Sequence, residues 1–122
     1  MAYEVTIKRA YKELTGREKI MYKDTSNAVK LDEVVTPENP LRITPVGFVE
    51  LLIHNDKSDD KEYMQYLIID NEGTKYFTGS PNLFDSFFDI YTEMGEEEYE
   101  IEIYKKPSNN YKGKYFLTCS LI

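Results

Sequence analysis

Tyr3, Val5 and Ile7 alternate with Glu4, Thr6 and Lys8, the period-2 pattern of a strand buried on one face. Residues 10–24 have no clean period. Ala10, Leu14, Arg17 and Met21 fall along one side of a helix, Thr15-Gly16 interrupts it, and Lys19 to Lys23 alternates again. We read this stretch as a short irregular piece followed by a strand through Ile20 and Tyr22. Asp24 to Asn27 is a turn cluster, and 28–42, with Pro37, Asn39 and Pro40, is loop or one short helical turn. Ile43 to His54 is dense in Val, Leu, Ile and Phe and begins around Pro45 and Gly47, which predicts a central strand entered through a bulged segment. After a charged loop, Asp56 to Glu62, the runs Tyr63–Ile69 and Thr74–Thr78 flank Asp70-Asn71-Glu72-Gly73 as a β-hairpin, with Gly73 supplying the positive φ.

The spacing then predicts a helix over 81–94. Ser80 is the N-cap and Pro81 the first helical residue. Leu83, Phe84, Phe87, Phe88, Tyr91 and Met94 lie on one face, Asp85, Asp89 and Glu93 on the other, and Gly95 ends it. At that period the aromatic stripe is core. Tyr99, Ile101 and Ile103 alternate with glutamates, and Tyr115, Leu117, Cys119 and Leu121 alternate with Phe116, Thr118, Ser120 and Ile122; these are the last two strands. With no repeat or linker, the expected architecture for 1–122 is one OB-like domain. It is an antiparallel barrel of five to six strands with the helix before the last two.

A chain of 122 residues with 41% hydrophobic content supports one core without staples. Its single cysteine, Cys119, rules out an intrachain disulfide and reads as a small buried hydrophobe on a strand. Met1-Ala2-Tyr3-Glu4 opens on strand-like alternation rather than an apolar leader, and no run approaches the roughly 18 apolar residues of a membrane span. A cytoplasmic setting without a membrane partner is therefore the expectation.

Catalytic chemistry finds little material. One histidine, His54, and one cysteine cannot furnish a tetrahedral zinc site without carboxylates, and no nucleophile-elbow or phosphate-cradling glycine motif occurs. Glu96, Glu97, Glu98, Glu100 and Glu102 read as a solvated strand face. The expectation is a binding protein, not an enzyme, with no cofactor and no metal.

Net charge is −7, but its distribution is uneven. Residues 8–23 and 105–114 each sum to +4, which leaves −15 on the rest. The loop between the last two strands of a small barrel, together with the loop after strand 1, is where OB-folds hold single strands. Both are basic here. Lys105, Lys106, Lys112 and Lys114, helped by Lys8, Lys12, Lys19 or Lys23, would track phosphates. Tyr111 within the loop would stack a base, followed by Tyr104 and Phe116, each of which departs from the apolar parity of its strand. The plain alternative is a solvated, lysine-rich hairpin tip.

The C-terminal part, from the hairpin through the amphipathic helix to KGKYFLTCSLI, and the opening REKIMYKDTSNAVKLDE resemble small single-stranded-DNA-binding proteins of bacteriophages that infect Firmicutes. The resemblance implies an OB-like protein that coats single-stranded DNA during phage DNA replication, in the host cytoplasm. Many bacterial single-strand binders end in an acidic tail, whereas this chain ends in Ser120-Leu121-Ile122, so recruitment through a tail is not expected. Two other readings stay open. One is an acidic inhibitor that imitates nucleic acid through Asp56, Asp59, Asp60, Glu62 and Glu96 to Glu102. The other is a phage accessory protein that forms a homo-oligomer through an exposed strand edge.

Overall fold

The computed structural model describes residues 3–57, 61–110 and 112–122. In chain order the elements are β1 (Tyr3–Ala10), α1 (Gly16–Lys23), β2 (Val29–Lys30), α2 (Leu31–Val34), β3 (Leu41–Ile43) and β4 (Pro45–Asn55). They continue with β5 (Glu62–Asp70), β6 (Lys75–Thr78), α3 (Pro81–Met94), β7 (Ile101–Pro107) and β8 (Tyr115–Leu121). A five-stranded sheet runs β1-β4-β5-β6-β2, antiparallel except for the β2–β6 pair, and a three-stranded antiparallel sheet runs β3-β7-β8.

β4 is the central strand its composition predicts, paired with β1 on one side and β5 on the other. Its two faces lead to two cores. Phe48 lies on the face turned towards α3 and the small sheet, in a cluster with Ile68, Leu83, Phe84, Phe87, Ile101, Ile103 and Leu117. Val49, Leu51 and Ile53 point the other way and pack with Leu67, Ile69, Leu14 and Tyr22. A strand buried on both faces carries no alternation, which is why its sequence reads as one apolar run.

α3 follows its pattern. Ser80 Oγ accepts from the Leu83 amide at 3.2 Å, Pro81 sits in the first turn, and Gly95 at φ +62° ends the helix. Leu83, Phe84 and Phe87 are buried, while Phe88 and Tyr91 are half-buried. Phe48 is the hub. Its ring meets those of Phe84, Phe87, Phe88 and Tyr91 edge-on, at 5.0–6.2 Å between centroids. Each fully buried side chain of this kind contributes about 1.5–3 kcal/mol. Arg9 covers the exposed flank of the cluster, its guanidinium 4.2 Å from the Phe88 ring and doubly bonded to Glu50 at 2.8 and 3.0 Å.

Two expectations are corrected. Residues 16–23 form a helix, not a strand through Ile20 and Tyr22. Thr15 Oγ1 accepts from the Glu18 amide at 3.2 Å and Glu18 Oε1 accepts from the Thr15 amide at 3.0 Å, a capping box that starts the helix. Only Tyr22 is buried on it, and Ile20 is 73% exposed, so its apolar positions follow solvent rather than a core. Second, the strands number eight and form two open sheets; among the described residues no pairing closes a barrel. Pro45 has no N–H to donate and the register slips between Pro45 and Gly47, so the chain leaves the small sheet at Ile43 and enters the large one. α3 packs along β8, where Ser86 and Thr118 hydroxyls meet at 3.2 Å, and β1 remains at the far edge of the other sheet.

Candidate nucleic-acid interface

Register decides which predicted side chains meet. β7 and β8 pair Glu102 with Ser120, Tyr104 with Thr118 and Lys106 with Phe116. These six share one face, because the intervening pairs turn Ile101, Ile103, Leu117 and Cys119 into the core. On the outer face Lys106 therefore lies directly opposite Phe116, and Tyr104 is the diagonal neighbour of Phe116 in register. Tyr104 and Phe116 are half-buried and Lys106 is exposed. The Tyr104 hydroxyl meets Ser120 Oγ at 2.8 Å, so the ring leans across the strand pair towards the Glu102–Ser120 end.

The strands end in a turn closed by the Ser108 amide donating to the Lys114 carbonyl at 2.9 Å, with Gly113 at φ +81°. Lys112 and Lys114 stand exposed there, and Tyr111 lies outside the described residues. Lys105 has the opposite parity to Lys106. It reaches across to α2, where its ammonium donates to the Asp32 carbonyl at 3.0 Å.

The second basic segment does not join this face. Lys8 is the extra residue of a β-bulge on β1, between the Ile7–Leu51 and Arg9–Glu50 pairs. Lys12 is bound to Glu18 at 2.7 Å; that contact raises the lysine's pKa and, with the Thr15 amide, lowers the glutamate's. Lys19 and Lys23 ride on α1, which is tied to the start of β6 by Lys75 donating to the Met21 and Asp24 carbonyls at 2.8 and 2.7 Å. The hairpin is tied instead to the other end of β6, through Lys105, Asp32 and Thr78, whose hydroxyl meets the Asp32 carboxylate at 3.2 Å. β1 and β2 are moreover opposite edges of the large sheet. α1 packs through Tyr22 on the Val49 face of the large sheet and the hairpin's sheet packs on the Phe48 face, so α1 and the hairpin lie on opposite sides of the large sheet.

A residue that the pattern does not flag completes the hairpin side. Asn82, in the first turn of α3, lines an open cleft of about 440 Å³ with Ser108, Asn109, Asn110, Lys114, Tyr115 and Phe116. Its sequence distance from the loop hides it, and only the packing of α3 on β8 brings it there. Tyr115, which shares the apolar parity of its strand, is nonetheless 51% exposed.

Elsewhere, His54 Nε2 sits 2.9 Å from Asp56 Oδ1 at the exposed end of β4. Burial pushes the Cys119 thiol up to about 12, far from the thiolate a nucleophile needs. Among the described residues no three of His, Cys, Asp and Glu converge, and no helix is long and apolar enough to cross a membrane. The acidic groups are also divided. Asp56 and Glu62 flank the far end of β4, while Glu96, Glu97 and Glu98 lie beside Pro45 and Val46 at its start, about 30 Å away along the strand. Asp59 and Asp60 lie outside the described residues. No family model, curated protein or solved structure matches the chain.

Proposed function

We propose that this protein binds single-stranded DNA on the outer face of the β3-β7-β8 sheet, in the role of a phage replication protein that its sequence resembles. The observation that carries the reading is the register that sets Lys106 opposite Phe116 with Tyr104 beside it, at the foot of a turn bearing Lys112 and Lys114. Aromatic faces stack any base and ammonium groups follow the phosphates, so this platform reads no sequence. The departure from a closed barrel does not remove that surface, and the β3–β4 corner, where the chain passes from one sheet to the other through Thr44 alone, supports the fold side of the proposal. Lys8, Lys12, Lys19 and Lys23 contribute to the general field, not to the contact. Division of the acids between the two ends of β4 speaks against the nucleic-acid mimic. The bulge at Lys8 and the charges of Glu4, Lys8 and Arg9 on the β1 edge speak against assembly through that edge.

Fluorescence anisotropy with labelled oligo-dT tests the reading. Stacking contributes about 1–3 kcal/mol per base, so Tyr104→Ala is expected to weaken binding roughly five- to a hundredfold. Three phosphate contacts give a log–log salt slope near −2, and Lys112→Glu with Lys114→Glu should flatten it by about 1.4. Absence of binding by the parent protein at low salt overturns the proposal.

A further inference from the structure

The platform accounts for Lys106, Tyr104 and Phe116 but leaves the adjoining cleft without a use. Three asparagines, Asn82, Asn109 and Asn110, line it from two separate elements, α3 and the hairpin. Among the described residues their side chains make no hydrogen bond to protein; the Asn110 backbone amide donates to Ser108 Oγ at 3.3 Å, which shapes the turn and leaves the carboxamide available. Phe116 and Tyr115 supply aromatic surface to the same cleft, so an aromatic ring entering it meets stacking and edge-on polar groups together. At about 440 Å³ it falls within the roughly 300–1,000 Å³ of small-molecule sites.

We propose that this cleft takes one base of the bound strand and favours adenine, an inference that rests on the single-strand reading above. A carboxamide offers one donor beside one acceptor. Adenine presents the complementary pair on both of its edges, N6–H with N1 and N6–H with N7, so it matches an asparagine in either orientation. Thymine and cytosine present such a pair on one edge only, and guanine presents one on its Watson–Crick edge (O6 with N1–H) while its N7/O6 edge offers two acceptors. Adenine's bicyclic ring also covers more of Phe116 and Tyr115 than a pyrimidine does. The protein is then a single-strand binder whose platform is indifferent to sequence and whose cleft is not.

The test compares labelled dT oligomers with the same oligomers carrying one central dA, at one salt concentration, by anisotropy. A bidentate amide–adenine pair discriminates by about five- to 150-fold, and at an exposed cleft the lower end, about five- to tenfold tighter binding of the dA oligomer, is the expected result. Asn82→Ala, at an exposed helical position, and Asn109→Ala with Asn110→Ala, in the turn, should each reduce the ratio of dA-oligomer to dT-oligomer affinity. Equal affinity of the parent protein for both oligomers overturns the base cleft and leaves the platform standing. A preference that survives in both variants overturns the assignment to these residues. No binding of either oligomer overturns the platform and the cleft together.

Discussion

Phe87 and Phe88 are adjacent in sequence and on the same helical face, yet the structure separates what their loss would do. Phe87 has no exposed surface and meets the rings of Phe48, Phe84 and Tyr91 at 6.1–6.2 Å. Its truncation to alanine removes the transfer energy of the ring and leaves a cavity that neighbours on α3 and β4 cannot fill, about 3–5 kcal/mol in all. Phe88 is half-buried, with one side against Phe48 and the other under the Arg9 guanidinium. Its loss opens a surface groove that solvent can occupy and ends a cation–π contact, about 1–2 kcal/mol together. At roughly 4 °C per kcal/mol for a domain of this size, the melting temperature should fall about 12–20 °C for Phe87→Ala and about 4–8 °C for Phe88→Ala. Thermal melts followed by circular dichroism, with urea denaturation to check that the m-value is unchanged, measure both. Equal shifts, or a larger one for Phe88, would refute the packing argument, because full burial is what assigns the larger loss to Phe87.

Two further outcomes follow from polar groups. Burial pushes the Tyr22 and Tyr99 phenols up to about 12, so the folded state resists their ionisation: the stability they confer is complete below about pH 10 and is lost as pH rises through 12. Urea midpoints falling over that window, with less fall in Tyr99→Phe, would bear this out; a flat profile would not. Asp70 is buried in the β5–β6 turn, where its carboxylate accepts from the Glu72 and Thr74 amides at 3.0 and 2.8 Å and from the Tyr76 hydroxyl at 3.2 Å. Asp70→Ala strands these donors and should cost about 1–3 kcal/mol in chemical denaturation, whereas the exposed neighbour Asn71→Ala should be near neutral.

Local signals made α3, β4 and the β5–β6 hairpin legible, since cap, period and turn residues agree there. For α1 they conflict. The Thr15-x-x-Glu18 box announces a helix start, but Lys19 to Lys23 alternates like a strand and the helix buries only Tyr22, so hydrophobic period carries no information. β2 and β3 are two and three residues long, too short for any period, and owe their existence to partners far along the chain: Val29 to Tyr76, and Leu41 to Ile103. The departure of Tyr104 and Phe116 from apolar parity was readable and does mark an outer face. What places them beside Lys106 is strand register, and what adds Asn82 is helix packing, neither of which leaves a local trace. Summed charge carries no trace of layer either: α1 packs through Tyr22 on the Val49 face of the large sheet, whereas the β7–β8 hairpin belongs to the sheet on the Phe48 face.

Thr44 alone separates β3 from β4, so one nearly continuous run of backbone holds the small sheet through Ile43 and the large one from Pro45 onward. The layers consequently have no hinge between them, and Phe48, Ile68, Leu117 and Ile103 form one cluster across the gap. If single-stranded DNA sits on the outer layer as proposed, that layer has no separate swing to make on binding, and little ordering entropy would oppose it. The same coupling would make such a ligand a stabiliser of the entire chain. At a free oligonucleotide concentration a hundred times its Kd, the gain would be about 2.7 kcal/mol, felt by β1 at the distant edge as fully as by β8.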